Sequence, residues 1–497
     1  MADNATETTL STFLGQQTIK MLIGGEWVEA ASGRTFDTIN PSTGQVLAKV
    51  AEGDAADIDR AVAAARGAFE HGPWSRLTPS QRGRLLWKVA DLIEQHAEEL
   101  AKLETLDNGK PIKYSRAVDV PLTADHFRYF AGWATKLEGE TIPVSIPNMF
   151  TYTLREPVGV VGQIIPWNFP LQMAAWKLAP ALACGNTVIL KPAEQTPLTA
   201  LRLGELICEA GFPEGVVNII PGFGETAGAA LAAHPGVDKI AFTGSTEVGK
   251  RIVRASADNL KKLTLELGGK SPNIIFPDAD LKFAVRGAMN AIFFNQGQVC
   301  TAGSRLFVHA SLYDQVLGGL TDLARKMSLG PGIDPATDIG PLISQEQLER
   351  VMNYIDIGKR EGASPTTGGE RANGDLAQGY FVRPTVFDRV ADEMTIAREE
   401  IFGPVVVVMP FEEVEEVATR ANQSTYGLAA AVWTNDVKKV HKMVAALKAG
   451  VVWVNTYNQF DAAAPFGGYK QSGYGREMGH AALDTYTQTK TAWINLR

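Results

Sequence analysis

The residue with the clearest chemical potential is Cys300. It follows the amphipathic helical pattern LKFAVRGAMNAIFF and lies in the polar, glycine-containing loop NQGQVCTAGS. Such a loop can expose a thiol and direct backbone N–H groups toward a group bound to it. Single cysteines are often structural, so the loop by itself makes Cys300 a candidate nucleophile and leaves a structural cysteine as the alternative.

The other two cysteines fall in apolar helical patterns. Cys208 lies mid-helix near Leu203 and Leu206, and Cys184 ends an alanine-rich helix, so we predict that both pack in the core. An odd number of cysteines is typical of a reducing compartment. Residues 1–20 lack a basic segment followed by an apolar run, so we expect a cytoplasmic protein without a signal peptide.

Composition and charge disfavour several classes of function. The net charge is −8, and no basic stripe stands out, which argues against nucleic-acid binding. No stretch approaches the roughly 20 apolar residues needed to span a bilayer, so we expect no membrane segment. We also expect no metal site.

Two polar side chains could complete a reaction centre with Cys300. Glu266 ends the apolar run LTLE before two glycines; a carboxylate there would point into a cleft, where burial can raise its pKa toward that of a useful base. Its alternative is an ion-paired residue at a strand end. Asn168 lies between two prolines in PWNFP, and its amide could donate to a developing oxyanion or form a plain Asx turn.

The elements that must position these residues alternate along the chain. Short β-branched runs with strand character alternate with helical patterns at spacings of about 25 residues, which predicts parallel sheets of an α/β fold. Such sheets bind ligands beyond the carboxyl ends of their strands. The runs in the first series are VVGQII (160–165), TVILK (187–191), VVNIIP (216–221), KIAFTG (239–244) and KLTLELGG (262–269).

A second series predicts another α/β domain. Its helices are expected over 311–327, 344–362, 412–422 and 436–448. Two segments with alternating polarity belong to neither series, and because an exposed strand pair promotes association we predict an oligomerisation arm, with a simple surface hairpin as the alternative. The predicted divisions are an N-terminal tail (1–20), a Rossmann-like cofactor domain (21–138 and 158–268), a catalytic domain (269–470) and the arm (139–157 and 480–497).

Seven motifs together resemble one enzyme family. PWNFP, KPAEQTP, FTGSTEVG, LELGGKSPN, FNQGQVC, EEIFGPV and PFGGYKQSG occur in the order of the NAD(P)-dependent aldehyde dehydrogenase superfamily, and the similarity extends from LIGGEWVEA near residue 22 to the C-terminus. The resemblance implies that Cys300 is the nucleophile and Glu266 the general base. It also implies that Asn168 and the backbone N–H of Cys300 form an oxyanion hole.

The same resemblance implies a cofactor site. Lys191 and Glu194 would hold the adenosine ribose, Ser245 the pyrophosphate, and Glu400 and Phe402 the nicotinamide half. An acidic ribose ligand accepts hydrogen bonds from both hydroxyls and repels a 2′-phosphate, so NAD is favoured over NADP. The other residues assigned to this site are Ile164, Pro166, Trp167, Gly224, Phe242, Gly244 and Gly268.

Apolar side chains crowd the segments that the resemblance assigns to a substrate tunnel, although ordinary core packing is the alternative for each of them. They suit hydrophobic aliphatic or aromatic aldehydes, whereas Asp461 alone would favour a cationic aldehyde. The predicted tunnel residues are Phe169, Met173, Trp176, Phe294, Val299, Thr301, Phe460 and Phe466.

The expected reaction is NAD-dependent oxidation through a thioester on Cys300. Glu266 favours resolution of that thioester by water over coenzyme A, since acylating relatives generally lack this glutamate. A protein of this fold without catalysis would be expected to lose the nucleophile or the cofactor residues, which are all present here. The family implies a homodimer or a homotetramer; the sequence does not choose between them, and we expect a homotetramer.

Overall fold

Two mixed sheets dominate the computed structural model, which describes residues 2–497. Its strands are β1 (Met21–Ile23), β2 (Glu26–Val28), β3 (Thr35–Asn40), β4 (Gln45–Ala51), β5 (Thr141–Ile142), β6 (Met149–Pro157), β7 (Val160–Ile164), β8 (Thr187–Lys191), β9 (Val217–Ile219), β10 (Lys239–Thr243), β11 (Lys262–Glu266), β12 (Pro272–Ile275), β13 (Arg305–His309), β14 (Ser364–Thr367), β15 (Thr385–Asp388), β16 (Val405–Phe411), β17 (Ala429–Trp433), β18 (Val451–Val454), β19 (Gly473–Tyr474) and β20 (Thr487–Asn495).

Helices cover the faces of these sheets. They are α1 (Ala2–Leu14), α2 (Ala55–Glu70), α3 (Pro79–Gln95), α4 (Ala97–Asn108), α5 (Ile112–Tyr114), α6 (Val120–Trp133), α7 (Pro170–Ala183), α8 (Leu198–Ala210), α9 (Ala229–Ala233), α10 (Thr246–Ala255), α11 (Leu281–Phe293), α12 (Tyr313–Lys326), α13 (Gln345–Arg360), α14 (Thr395–Arg398), α15 (Val414–Asn422), α16 (Val437–Ala446) and α17 (Ala481–Tyr486).

The first sheet has the order β19-β11-β10-β7-β8-β9-β1-β2. Its five central strands are parallel, and β7 and β8 are buried along their whole length. Parallel strands covered on both faces read as continuous apolar runs, which is why the sequence indicated them. The N-terminal segment contributes β1 and β2, which extend this sheet in antiparallel fashion.

The second sheet has the order β14-β15-β16-β13-β12-β17-β18, and all its pairings except β14 with β15 are parallel. Its four predicted helices are present as α12, α13, α15 and α16. The predicted fold class, a Rossmann-like parallel-sheet domain joined to a second α/β domain, is confirmed.

A separate three-stranded sheet contains the two segments predicted as an arm. The order is β20-β6-β5, and β20 pairs with β6 over nine residues, from Thr487↔Pro157 to Asn495↔Met149. Within the predicted N-terminal tail, α1 buries Leu10 and Phe13 in the main core. Part of this segment therefore forms a helix that packs against the core.

Strand register brings the candidate residues to one edge of the first sheet. Thr243 pairs with Glu266, and Ile164 pairs with both Phe242 and Lys191. These residues therefore form a row across the carboxyl ends of four parallel strands, where α/β sheets bind ligands.

Candidate active site

All three predicted catalytic residues, Cys300, Glu266 and Asn168, line one cavity of about 500 Å³. Glu266 is the last residue of β11 in the first sheet, and Cys300 lies in the loop before β13 of the second sheet. The glycines that follow Glu266 allow the two sheets to approach, since a Cβ at Gly269 would lie 2.4 Å from the Cys300 carbonyl oxygen. The cavity therefore lies between the sheets at the point where the chain passes from one to the other.

The loop before Cys300 has an unusual backbone. Asn295, Gln296 and Gly297 have φ values of 46°, 56° and 70°, a left-handed run that L side chains rarely adopt. A Cβ at Gly297 would meet the Gly403 carbonyl oxygen at 2.1 Å, so only glycine fits there. Strained segments of this kind persist where surrounding contacts fix them, which is common at functional sites.

The surroundings of the Cys300 thiol favour its protonated form. Burial raises its pKa to about 12, and the nearby Glu400 and Glu266 carboxylates add to the effect. The backbone N–H groups of Thr301 and Cys300 act in the opposite direction, because they hydrogen-bond to the sulfur and favour the thiolate. A nucleophilic role for Cys300 therefore requires a base or a further positive charge to assist loss of the proton.

Glu266 has a buried carboxyl group that lines this cavity. The residue is only 4% exposed, and neither carboxyl oxygen has a hydrogen-bond partner among the described residues. Burial raises its pKa well above the ordinary value, the Glu477 carboxylate raises it further, and Lys177 and Arg476 oppose this. The structure thus differs from the ion-paired strand-end alternative. An unsatisfied buried carboxyl in a cavity is typical of a functional group.

Asn168 is fixed by the loop that carries Cys300. Its side-chain amide donates to the Gln298 backbone carbonyl at 2.9 Å, and its backbone carbonyl accepts from the Asn295 side-chain amide at 3.0 Å. Asn108 donates to the preceding Trp167 carbonyl at 2.8 Å. Because a primary amide carries two N–H donors, one remains for a ligand oxygen beside Cys300.

Seven of the predicted cofactor residues line the same cavity, namely Pro166, Trp167, Gly244, Ser245, Gly268, Glu400 and Phe402. The Ser245 hydroxyl caps α10 by accepting from the Val248 N–H at 3.2 Å. The Glu400 carboxylate accepts from the Gly269 N–H at 2.9 Å. Burial raises the pKa of Glu400 to about 7, an effect that this hydrogen bond opposes.

The other five cofactor candidates lie outside this cavity. Ile164, Phe242 and Lys191 occupy the row at the strand ends, and Lys191 forms a 2.9 Å ion pair with Glu194. Gly224 begins a π-helical turn before α9, and a Cβ there would meet no atom within 4 Å. The structure therefore places these five residues outside the lining of the cavity that contains Cys300.

All eight predicted tunnel residues line the cavity. The Trp176 ring lies 5.3 Å from Phe466 and 6.2 Å from Phe460, and Phe169 stacks on Phe294 at 6.1 Å. Asp461, considered for a cationic aldehyde, is exposed, is not part of the lining, and accepts from the Ala463 N–H at 2.8 Å in a local turn.

The sequence interpretation missed further lining residues. Thr243 and Leu267 lie within FTGSTEVG and LELGGKSPN, whereas the others come from segments outside the seven motifs, so only the folded arrangement identifies them. These residues are Tyr114, Val118, Leu122, Gln172, Thr243, Leu267, Asn290, Glu346, Gln347, Arg350, Leu428, Asn458 and Gln459.

One prediction about the cysteines is wrong. Cys208 is exposed, whereas Cys184 is buried as expected. Helix α8 buries Leu203, Leu206 and Ile207, and the next two residues turn toward solvent. These three apolar residues therefore lie on the buried face of α8, whereas Cys208 lies on its exposed face.

Comparison with known proteins gives one consistent result. The model of the Aldehyde dehydrogenase family matches residues 27–492. The chain belongs to the aldehyde dehydrogenase family. It is 56% identical to the human mitochondrial aldehyde dehydrogenase over 96% of this chain and 92% of that protein. The predicted family and enzyme class are thus confirmed.

Two solved aldehyde dehydrogenases have the same fold. The NAD+ complex of the Bacillus cereus enzyme is 57% identical, with a TM-score of 0.97 over 98% of this chain and 99% of that chain. The betaine aldehyde dehydrogenase of Staphylococcus aureus, in complex with NAD+, is 45% identical, with a TM-score of 0.97 over 99% and 98% of the two chains.

In the described part of this aldehyde dehydrogenase, no helix has the length and apolar character needed to cross a membrane. Among the same residues, no group of three or more His, Cys, Asp or Glu side chains is arranged to hold a metal ion.

Proposed function

We propose that this aldehyde dehydrogenase oxidises uncharged hydrophobic aldehydes to carboxylic acids, with NAD as the hydride acceptor. The proposal rests on one observation above all. Cys300, Glu266 and Asn168 line a single cavity that continues to the N-terminus of α10 at Gly244 and Ser245. One part of this cavity offers a thiol, a base and an amide, and another offers a helix terminus suited to an anionic group.

The residues present fit a dinucleotide. Ser245 and the first turn of α10 would hold the pyrophosphate, and Lys191 with Glu194 the adenosine ribose. Glu400 and Phe402 would position the nicotinamide half, which accepts a hydride when bound. The NAD+ complexes of the Bacillus cereus and Staphylococcus aureus relatives support this choice. The Glu194 carboxylate disfavours NADP, because it would repel a 2′-phosphate.

In the first half of the reaction, the Cys300 thiol gives up its proton to water, a step that a positively charged nicotinamide bound beside it would assist. The resulting thiolate attacks the aldehyde carbon and forms a C–S bond. The negative charge that develops on the carbonyl oxygen is stabilised by the Asn168 amide and the Cys300 N–H. Collapse of this thiohemiacetal breaks the C–H bond, and the electron pair leaves with the hydrogen as hydride. The product bound to the enzyme is a thioester.

In the second half, Glu266 accepts a proton from water, and the resulting hydroxide attacks the thioester carbon. The C–S bond breaks, the carboxylic acid forms, and Cys300 leaves as the thiolate. A raised pKa suits Glu266 to this role, because a base is most effective when its pKa lies near the working pH.

The lining of the tunnel supports a hydrophobic substrate. Phe169, Trp176, Phe294, Phe460 and Phe466 provide aromatic surface there. Apolar walls with few polar groups favour uncharged aliphatic or aromatic aldehydes. A comparison of kcat/KM for acetaldehyde, hexanal, benzaldehyde, betaine aldehyde and succinic semialdehyde tests this assignment. A preference for either charged aldehyde would contradict it.

Burst kinetics test the mechanism. Glu266→Gln is expected to release a burst of NADH and then stop, because the thioester forms but is not hydrolysed. Cys300→Ala is expected to abolish the burst as well, whereas the matched control Cys208→Ala, at an exposed position, retains full turnover. Steady-state turnover of Glu266→Gln at the wild-type rate would refute the assigned base.

We also propose that the three-stranded sheet is an oligomerisation arm of a homodimer or homotetramer. Phe150, Leu154, Trp493 and Ile494 are exposed large apolar side chains on its strands. A polar substitution such as Trp493→Asp should reduce the mass measured by light scattering, and an unchanged mass would favour the surface-hairpin alternative.

A further inference from the structure

A buried ion cluster lies directly behind the aromatic wall of the tunnel. The Lys110 ammonium is 2.7 Å from an Asp119 carboxylate oxygen and 3.3 Å from one of Glu104, and all three side chains are at most 1% exposed. The second Glu104 oxygen accepts from the Thr199 hydroxyl at 2.8 Å. Buried charges are costly to desolvate, so a cluster of this kind requires close contacts to be tolerated.

The free side of the Lys110 ammonium faces an aromatic ring. Its nitrogen lies 4.3 Å from the centroid of the Phe169 ring, well within the range of a cation–π interaction. That ring stacks on Phe294 with an interplanar angle of 22°, and Tyr114 contacts Phe294 edge-on at 4.7 Å. All three rings line the cavity. Lys110 therefore contacts the outer end of a row of three aromatic residues.

The same cluster fixes a second part of the wall. Asp119 ends a π-helical turn (Ser115–Asp119) that leads into α6, and the Ser115 hydroxyl is 2.8 Å from that of Thr105. Val118 and Leu122, on either side of Asp119, line the cavity. A π-helical turn changes the direction of the side chains that follow it and is frequent at functional sites. The ion pair with Lys110 thus determines how this turn presents its apolar side chains.

The segment also supports the backbone next to the reaction centre. Asn108 donates to the Trp167 carbonyl at 2.8 Å and accepts from the Lys110 N–H at 3.2 Å. Residues 108–110 therefore contact both the backbone before Asn168 and the ring after it.

We propose that Lys110 is a positioning residue for substrate specificity. Through Phe169 on one side and Asp119 on the other, it sets the shape of the tunnel wall that bulky aldehydes contact. This inference rests on the proposed function, because it assumes that the aldehyde lies against these rings. A small aldehyde such as acetaldehyde occupies little of that wall and should depend on Lys110 far less than hexanal does.

A double-mutant cycle with Lys110→Met and Phe169→Leu tests the proposal. We expect Lys110→Met to raise the KM for hexanal about tenfold, the scale of a desolvated cation–π contact, with kcat, the NADH burst and the KM for acetaldehyde close to wild type. In the double variant, Lys110→Met should have a smaller effect than in the wild-type background, because the ring it contacts is gone and only its contact with Asp119 remains. The matched control is Lys136→Met, an exposed lysine 5.7 Å from the Trp133 ring.

A second variant covers the case in which Lys110→Met does not fold. Asp119→Asn keeps the shape of the side chain and removes the charge, and it should also raise the KM for hexanal selectively.

An equal loss of activity with acetaldehyde and with hexanal would indicate a merely structural role for Lys110 and would overturn the proposal. The proposal would also be overturned if the fold-changes in KM caused by Lys110→Met and Phe169→Leu simply multiplied in the double variant. Absence of any aldehyde-dependent NADH burst in the wild-type enzyme would instead contradict the proposed function itself.

Discussion

The ion pair between Lys177 and Glu477 allows a direct test of how nearby charges shift the pKa of Glu266. The two side chains are 0% and 3% exposed, and the ammonium lies 2.5 Å from the carboxylate. Lys177 lowers the pKa of Glu266, whereas Glu477 raises it. Lys177→Met and Glu477→Gln therefore break the same pair but change the field at Glu266 in opposite directions.

Stability should fall in both variants. Each leaves one buried partner without its counter-charge, and breaking a buried pair costs about 3–5 kcal/mol in the free energy of unfolding. The matched control is Lys49→Met, which removes an exposed pair with Asp37 (56% and 40% exposed, 3.0 Å) and should cost about 0–1 kcal/mol. Urea denaturation measures these differences.

The pH dependence of thioester hydrolysis should separate the two variants. Glu266 acts as a base only when deprotonated, so the rate rises with pH through its pKa. Lys177→Met raises that pKa further and should move the rise to higher pH, whereas Glu477→Gln lowers the pKa and should move it to lower pH. Hydrolysis is followed as the steady-state rate after the NADH burst. Shifts of the same sign in both variants would refute this account of the field at Glu266.

Three further results are expected. Asn168→Ala should lower the rate of the NADH burst by about 10²–10³ through loss of an oxyanion donor, and an unchanged burst would exclude that role. Glu194→Gln should increase kcat/KM with NADP relative to NAD, because the charge that repels a 2′-phosphate is removed; an unchanged ratio of the two would contradict this. Gly269→Ala should abolish the burst, since its Cβ would lie 2.4 Å from the Cys300 carbonyl oxygen, and normal activity would show that the loop can shift.

Local sequence was sufficient for the core of the fold. The strands β7, β8 and β10 could be predicted from short, mainly apolar runs, because strands buried on both faces consist mostly of apolar residues. The candidate positions of Cys300, Glu266 and Asn168 could likewise be recognised, since each lies in a short motif between an element and a turn. Their individual roles stay predictions until the variants are measured.

Other features depended on contacts between distant segments. The exposure of Cys208 was misjudged because its neighbours on α8 are apolar and its own direction on the helix decides the outcome. The ion cluster behind Phe169 joins residues 104–119 to residue 169, and no local pattern in the chain connects them. Burial sets the pKa of Glu266 and of Cys300, and burial is a property of the assembled structure. The sequence by itself thus determined which groups are available for chemistry, while the tertiary structure decided how far water is excluded from them and which charges they face.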